Sequence, residues 1–117
     1  MKEGNIIRDK SFDFAVRIIN LYKFLINEKR EFVVSKQICR SGTSIGANIE
    51  EAIGAHSKKD FSSKLSVAYK EARETDYWIK ILYQTEFITQ EQANSLLEDC
   101  QEILSIIGSI KKTLKNS

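Results

Sequence analysis

The chain contains no proline, and from Phe14 onward its apolar residues return every three or four positions. Together these properties leave little open to it except helices. Proline is the strongest interrupter of a helix, and a three-to-four beat is one face of a 3.6-residue turn. Glycine, the next strongest interrupter, occurs five times in 117 residues, so long helices and an all-α fold are expected.

Four periodic segments separate at polar breaks. The first runs from Phe12 to Asn27, with Phe14, Ile18, Leu21 and Leu25 on its stripe and Ala15, Ile19, Tyr22 and Ile26 widening it. "NEKREF" follows without periodicity, and Ser35 lies near the start of a second segment marked by Ile38, Ile45, Ile49 and Ile53. Within the next break, "GAHSKKDF", Ser57 and Asp60 resemble a capping box. Phe61, Leu65, Ala68, Ala72, Thr75, Ile79 and Leu82 then alternate in steps of four and three, the seam of a bundle helix. Thr89 and Gln92 form the next box, ahead of Ala93, Leu97, Cys100, Leu104 and Ile107, with Leu96, Ile103 and Ile110 on a second flank.

Four amphipathic helices with short links bury their stripes most simply as an up-down-up-down four-helix bundle, a single domain over residues 1–117. The stripes are wider than one core requires. Tyr77, Trp78 and Ile81 lie beside the third seam, and Ile103, Leu104, Ile106, Ile107 and Ile110 cover much of the fourth helix. A second copy of the chain is the expected cover, which makes the protein a homo-oligomer.

Lysine and arginine exceed aspartate and glutamate by only 18 to 16, far from the basic excess of a dedicated nucleic-acid binder. Any contact with RNA or DNA must come from a local or oligomeric arrangement of charge. The basic pairs Lys29–Arg30, Lys58–Lys59 and Lys111–Lys112, the last with Lys115, each fall near a helix end, where lysines commonly serve solubility or the macrodipole. In a ring their fields would add, so Lys58, Lys59, Lys111, Lys112 and Lys115 are the expected nucleic-acid contacts. Cys39 and Cys100 lack CxxC spacing, which argues against a zinc knuckle or thioredoxin-type motif, and both are expected to be reduced and buried. "MKEGNIIRDKSF" places charges on both sides of a short apolar pair, and no apolar run approaches the roughly 18 residues of a membrane span. The expectation is a soluble, cytoplasmic protein with no membrane partner.

"RSGTSIGANIEEA", from Arg40 to Ala52, is open to two readings: a phosphate-cradling loop, or the thin face of a packed helix. It lacks the lysine and preceding strand of a P-loop, and the third glycine of a dinucleotide fingerprint. Ile45, Ile49 and Ile53 keep the helical beat through it, so Ser41, Gly42, Ser44, Gly46 and Ala47 are read as small residues that let a neighbouring helix come close. His56, the single histidine, has no recognisable nucleophile or orienting carboxylate, and Ser62 and Ser63 read as solvated first-turn residues. The acids Glu50, Glu51, Glu71, Glu74 and Asp76 cannot form a ferritin-like di-iron site, which needs two Glu-x-x-His motifs. No catalytic, cofactor-binding or metal site is therefore expected. Arg40 is expected to be buried and paired with Glu51 or Glu74, fixing helix register.

"QICRSGTSIGANIEEA", Gln37 to Ala52, and "KKDFSSKLSVAYKEARETDYWIKIL", Lys58 to Leu82, resemble the four-helix-bundle proteins encoded within intervening sequences of large-subunit ribosomal RNA genes. The family pattern runs approximately Q-L-x-R-A-x-x-S-I-x-x-N-I-A-E-G, then F-x-x-x-L-x-x-A-x-x-x-x-x-E. Gln37, Arg40, Ser44, Ile45, Asn48, Ile49 and Glu51 match the first part, and Phe61, Leu65, Ala68 and Glu74 the second. Gly46, Glu50 and Ala52 depart from it, where proline, alanine and glycine are usual, which bears on bending of the second helix. The resemblance implies an up-down bundle able to assemble as a five-fold ring, with no enzymatic activity. A related accessory protein of diversity-generating retroelements looks like a pentameric barrel whose basic surface contacts nucleic acid and a reverse transcriptase. The expected function is a non-enzymatic oligomeric scaffold that binds RNA, DNA or a protein partner, with Arg40, Asn48, Glu51 and Glu74 as polar fasteners. The alternative is a protein–protein interaction module with no nucleic-acid role.

Overall fold

The computed structural model describes residues 2–116, with side chains from Ile6 onward. Four helices follow in order: α1 Lys2–Asn27, α2 Val34–Ile53, α3 Lys58–Gln84 and α4 Gln90–Lys115. They run up and down along the 46 Å axis of a body 21 by 20 Å across. Each helix packs on the next in sequence, and α4 closes back on α1 along the sparsest of the four seams. No described residue forms a β-strand.

The core is the set of stripes turned inward: Phe14, Ile18 and Leu25 from α1, Ile38, Ile45 and Ile49 from α2, Leu65, Ala68, Ala72, Ile79 and Leu82 from α3, and Ala93, Leu96, Cys100, Ile103 and Ile107 from α4. The α3 seam matches its sequence spacing, apart from a partly buried Phe61. The other three differ in detail. On α1 the helix begins ten residues before Phe12, and its seam passes through buried Ile7 and Ser11. A serine on the seam hides the apolar period there. On α2 the stripe ends on Ala52, leaving Ile53 44% exposed. On α4 the centre runs through Leu96 and Ile103, with Leu97 and Leu104 only partly buried. Choosing between adjacent apolar flanks takes the rotation of the helix, which spacing leaves open.

Helix starts are set by side chains. Ser57 Oγ accepts the Asp60 N–H at 3.0 Å. Thr89 and Gln92 form a full capping box, Oγ1 accepting the Gln92 N–H at 3.1 Å and the Gln92 amide oxygen accepting the Thr89 N–H at 2.9 Å. Ser35 lies in the first turn of α2, as its place in the sequence suggests, and the side chain that takes up the first amides is Glu31. That carboxylate accepts the N–H groups of Val33 at 3.1 Å, Val34 at 2.9 Å and Ser35 at 2.6 Å. Burial pushes the Glu31 pKa up, but the three amides outweigh it and hold the group below the usual carboxylate range.

The small residues of α2 serve two neighbours. Gly42 faces α1, where a Cβ on it would fall 2.7 Å from Ile18 Cγ1, and Gly46 lies against the α1 backbone at Ser11. Ser41 turns instead to α3, with its hydroxyl 2.8 Å from that of Thr75. Thr75 donates to the Glu71 carbonyl at 2.8 Å, so Ser41 supplies the proton between the two hydroxyls. Ala47 is exposed and takes no part in this close packing. "RSGTSIGANIEEA" is continuous helix, so Gly46 does not break α2.

Candidate nucleic-acid interface

Antiparallel packing brings the start of α3 and the end of α4 to the same end of the bundle. Lys58 and Lys59 occupy the first turn of α3, and Lys111, Lys112 and Lys115 fall on one face of the closing turns of α4. All five line a single open groove of about 940 Å³. Ser62, Ser63 and Gly108 form much of the rest of its surface, so the two serines read as merely solvated belong to it. Tyr69 supports one wall, with the Lys111 ammonium 5.5 Å from its ring centroid. The third basic pair goes elsewhere: Lys29 and Arg30 lie at the opposite end, over the rings of Phe24 and Phe32 at 5.7 and 5.5 Å.

The charges of the groove have separate local causes. The α3 N-terminus adds its partial positive charge to Lys58 and Lys59, tempered by Asp60 in the same turn. The α4 C-terminus carries the opposite partial charge, which Lys112 and Lys115 in the last turn offset. Lysines set as point charges along a groove hold phosphates in place without reading bases.

The polar fasteners resolve into smaller arrangements. Arg40 reaches from α2 to α3, donating to Glu71 Oε1 at 3.2 Å and making a short ion pair with Glu74. Trp78 Nε1 donates to the same Glu74 carboxylate at 2.9 Å. The Trp78 bond, against burial and together with Arg40, holds the Glu74 carboxyl below its usual range, and the Glu74 bond raises the pKa of Arg40 despite its partial burial. Contrary to expectation, the Arg40 side chain is 50% exposed; of the two expected carboxylates, Glu74 is its partner and Glu51 is not. Eleven residues along one helix separate Arg40 from Glu51 by about 16 Å, beyond the reach of an arginine. Glu51 pairs with Lys64 of α3 at 2.9 Å. Asn48 holds its own helix, its amide donating to the Ser44 carbonyl at 2.8 Å.

Further links tie α1 to its neighbours without any motif in the sequence. Arg8 pairs with Glu50 at 2.6 Å, Lys10 with Glu102 at 2.7 Å and Arg17 with Asp99 at 2.6 Å. Arg17 also donates to the Ser95 hydroxyl at 3.1 Å. Both cysteines are free: Cys100 is buried, whereas Cys39, expected to be buried, is only half so. Burial, first of all, pushes the Cys100 thiol up to about 12. Among the described residues no three His, Cys, Asp or Glu side chains cluster as metal ligands, and no helix is long and apolar enough to cross a membrane.

Residues 3–109 match the family model of the 23S rRNA-intervening sequence protein. A solved structure from Bacteroides thetaiotaomicron VPI-5482, described as a protein with unknown function from the S23 ribosomal protein family, is 58% identical to the chain. It superposes with a TM-score of 0.93, over 94% of this chain and 98% of that one. No curated protein matches the chain. The matched residues include Lys58 and Lys59 and stop short of Lys111, so the three α4 lysines of the groove lie past the matched segment.

Proposed function

Since the chain belongs to the 23S rRNA-intervening sequence protein family, we propose that it is a non-enzymatic helical scaffold whose copies assemble and hold RNA or DNA along the lysine groove. The observation that carries this reading is the convergence of Lys58, Lys59, Lys111, Lys112 and Lys115 on one surface. A net charge of +2 is too small for tight retention by one copy, whereas a ring repeats the groove around its axis and adds the fields. Of the apolar residues expected to spill over on α3 and α4, the bundle takes up all but Tyr77; a homo-oligomer, with five copies preferred, instead gives a use to the apolar stripe left outside the core on α1, where Phe12 is 66% and Val16 46% exposed. The same stripe supports a second reading, a protein–protein module with no nucleic-acid role.

Filter-binding of structured RNA and duplex DNA at two salt concentrations, beside light scattering, tests the proposal. Expected are an oligomer at micromolar concentration and retention that falls steeply with salt and varies little with sequence. A stable monomer removes the ring. Absence of retention even at low ionic strength removes the nucleic-acid role and leaves the protein-partner reading.

A further inference from the structure

Beside the lysine groove, at the same end of the bundle, lies a second cavity of about 400 Å³. All four helices contribute to it: Ile7 from α1, Ile49 and Ala52 from α2, Phe61 and Leu65 from α3, and Leu114 from α4. Leu114 also lines the groove, so the two depressions share a wall, apolar on one side and lysine-rimmed on the other. A volume of this size lies in the range of small-molecule sites, roughly 300–1,000 Å³.

The chemistry of the lining narrows the ligand. Among the described residues only Ser109 and Thr113 bring hydroxyls to it, and the Thr113 hydroxyl already donates to the Ser109 carbonyl at 3.1 Å. A nucleobase placed there would leave its ring nitrogens and carbonyls without partners, at a desolvation cost that stacking on Phe61 alone would not offset. A saturated alkyl chain loses nothing by entering. With Lys111, Lys112 and Lys115 on the turns that carry Leu114, the complementary head group is an anion.

We infer that this end of the bundle is a binding site for a single-chain anionic amphiphile of medium length, its alkyl chain in the cavity and its carboxylate or phosphate head at the lysines. The inference does not rest on the proposed nucleic-acid role: the two share Lys111, Lys112 and Lys115, but dependence on alkyl chain length belongs to the cavity alone, so either can fail without the other.

Calorimetric titration of the full chain with octanoate, decanoate and dodecanoate, each below its micelle concentration, tests the inference. Affinity should rise about fourfold per added methylene until the cavity is full, and decanol and decyltrimethylammonium should bind about tenfold or more weakly than decanoate. Thr113→Trp, at an exposed position on the rim, should abolish binding, and Lys112→Glu with Lys115→Glu should remove the preference for the anion. Ser109→Phe replaces Thr113→Trp if that variant does not melt like the parent. No rise with chain length, equal binding of the cationic amphiphile, or undiminished decanoate binding by the folded rim variant would overturn the site. So would binding only to anionic phospholipid vesicles and not to free decanoate.

Discussion

Gly46 of α2 sits so near Ser11 of α1 that a Cβ on the glycine would lie 3.3 Å from the serine carbonyl oxygen. The contact is with backbone, which cannot turn aside as a long side chain can. One turn earlier, the space at Gly42 is filled by Ile18, itself fully buried. The α1–α2 interface is therefore set by the absence of side chains at two positions.

Gly46→Leu should destabilise the bundle by about 1–3 kcal/mol through overpacking, even though leucine is the better helix former. Gly42→Ala should also destabilise, against the roughly 1 kcal/mol that alanine gains in an open helix. Thermal melts of both variants check this, and a melting temperature at or above the parent's in either would show that its interface has room.

Arg40→Ala should cost about 1 kcal/mol or less, because the ion pair with Glu71 and Glu74 is half exposed and screened by solvent. In double-mutant cycles, coupling of about 0.5 kcal/mol is expected with Glu74 and none with Glu51. A loss near 3 kcal/mol would mean that the arginine is buried in solution.

Glu31→Ala should destabilise α2 by about 1–3 kcal/mol, since it strands the buried Ser35 N–H. The carboxyl is held below its ordinary range when folded, so its contribution is complete above the unfolded value of about 4.3. It is lost as pH falls through the lower, folded pKa. Denaturant unfolding from pH 7 down to 3 should show a shallower acid limb for Glu31→Gln than for the parent; equal slopes would deny the cap its charge.

A thiol reagent at pH 8 should modify the half-buried Cys39 in the native protein and leave Cys100, whose S–H donates to the Ala72 carbonyl at 3.2 Å, until unfolding. Burial raises the pKa of both thiols, that of Cys100 to about 12, so Cys39 should react slowly. Mass mapping of the labelled peptides checks the order.

Lys58→Glu with Lys59→Glu, and separately Lys112→Glu with Lys115→Glu, should each weaken salt-sensitive RNA retention. Their effects on stability should differ in sign: acids suit the N-terminus of α3 and oppose the C-terminus of α4. Lys29→Glu with Arg30→Glu, at the far end, serves as the comparison. If it weakens retention equally, the groove is not where RNA sits.

Periodicity alone was enough for the all-α bundle, because long stripes without proline have one economical arrangement. It was least informative where a polar residue does an apolar residue's job. Ser11 occupies a buried position of α1 where the backbone lies against Gly46, and as a polar residue it interrupts the apolar period through the opening turns of that helix. Glu31 caps α2 from three residues before its first helical residue, a distance at which no capping motif signals it. The five lysines could be named from their places near helix ends, but their convergence depends on how α3 and α4 are rotated against each other. Arg40 could be given candidate carboxylates and not its exposure, since burial belongs to the assembled fold.

The sparse α1–α4 seam has a consequence for chain connectivity. Lys2 and Asn116, the outermost described residues, end up at the same pole of the bundle, on adjacent helices. A short flexible linker could join them, and the backbone could then be opened at the opposite pole, between Glu28 and Phe32. Such a circular permutant keeps every helix pairing while turning α1 and α4 into a covalent hairpin. The ion pairs Lys10–Glu102 and Arg17–Asp99 would then close a connection between neighbours in sequence.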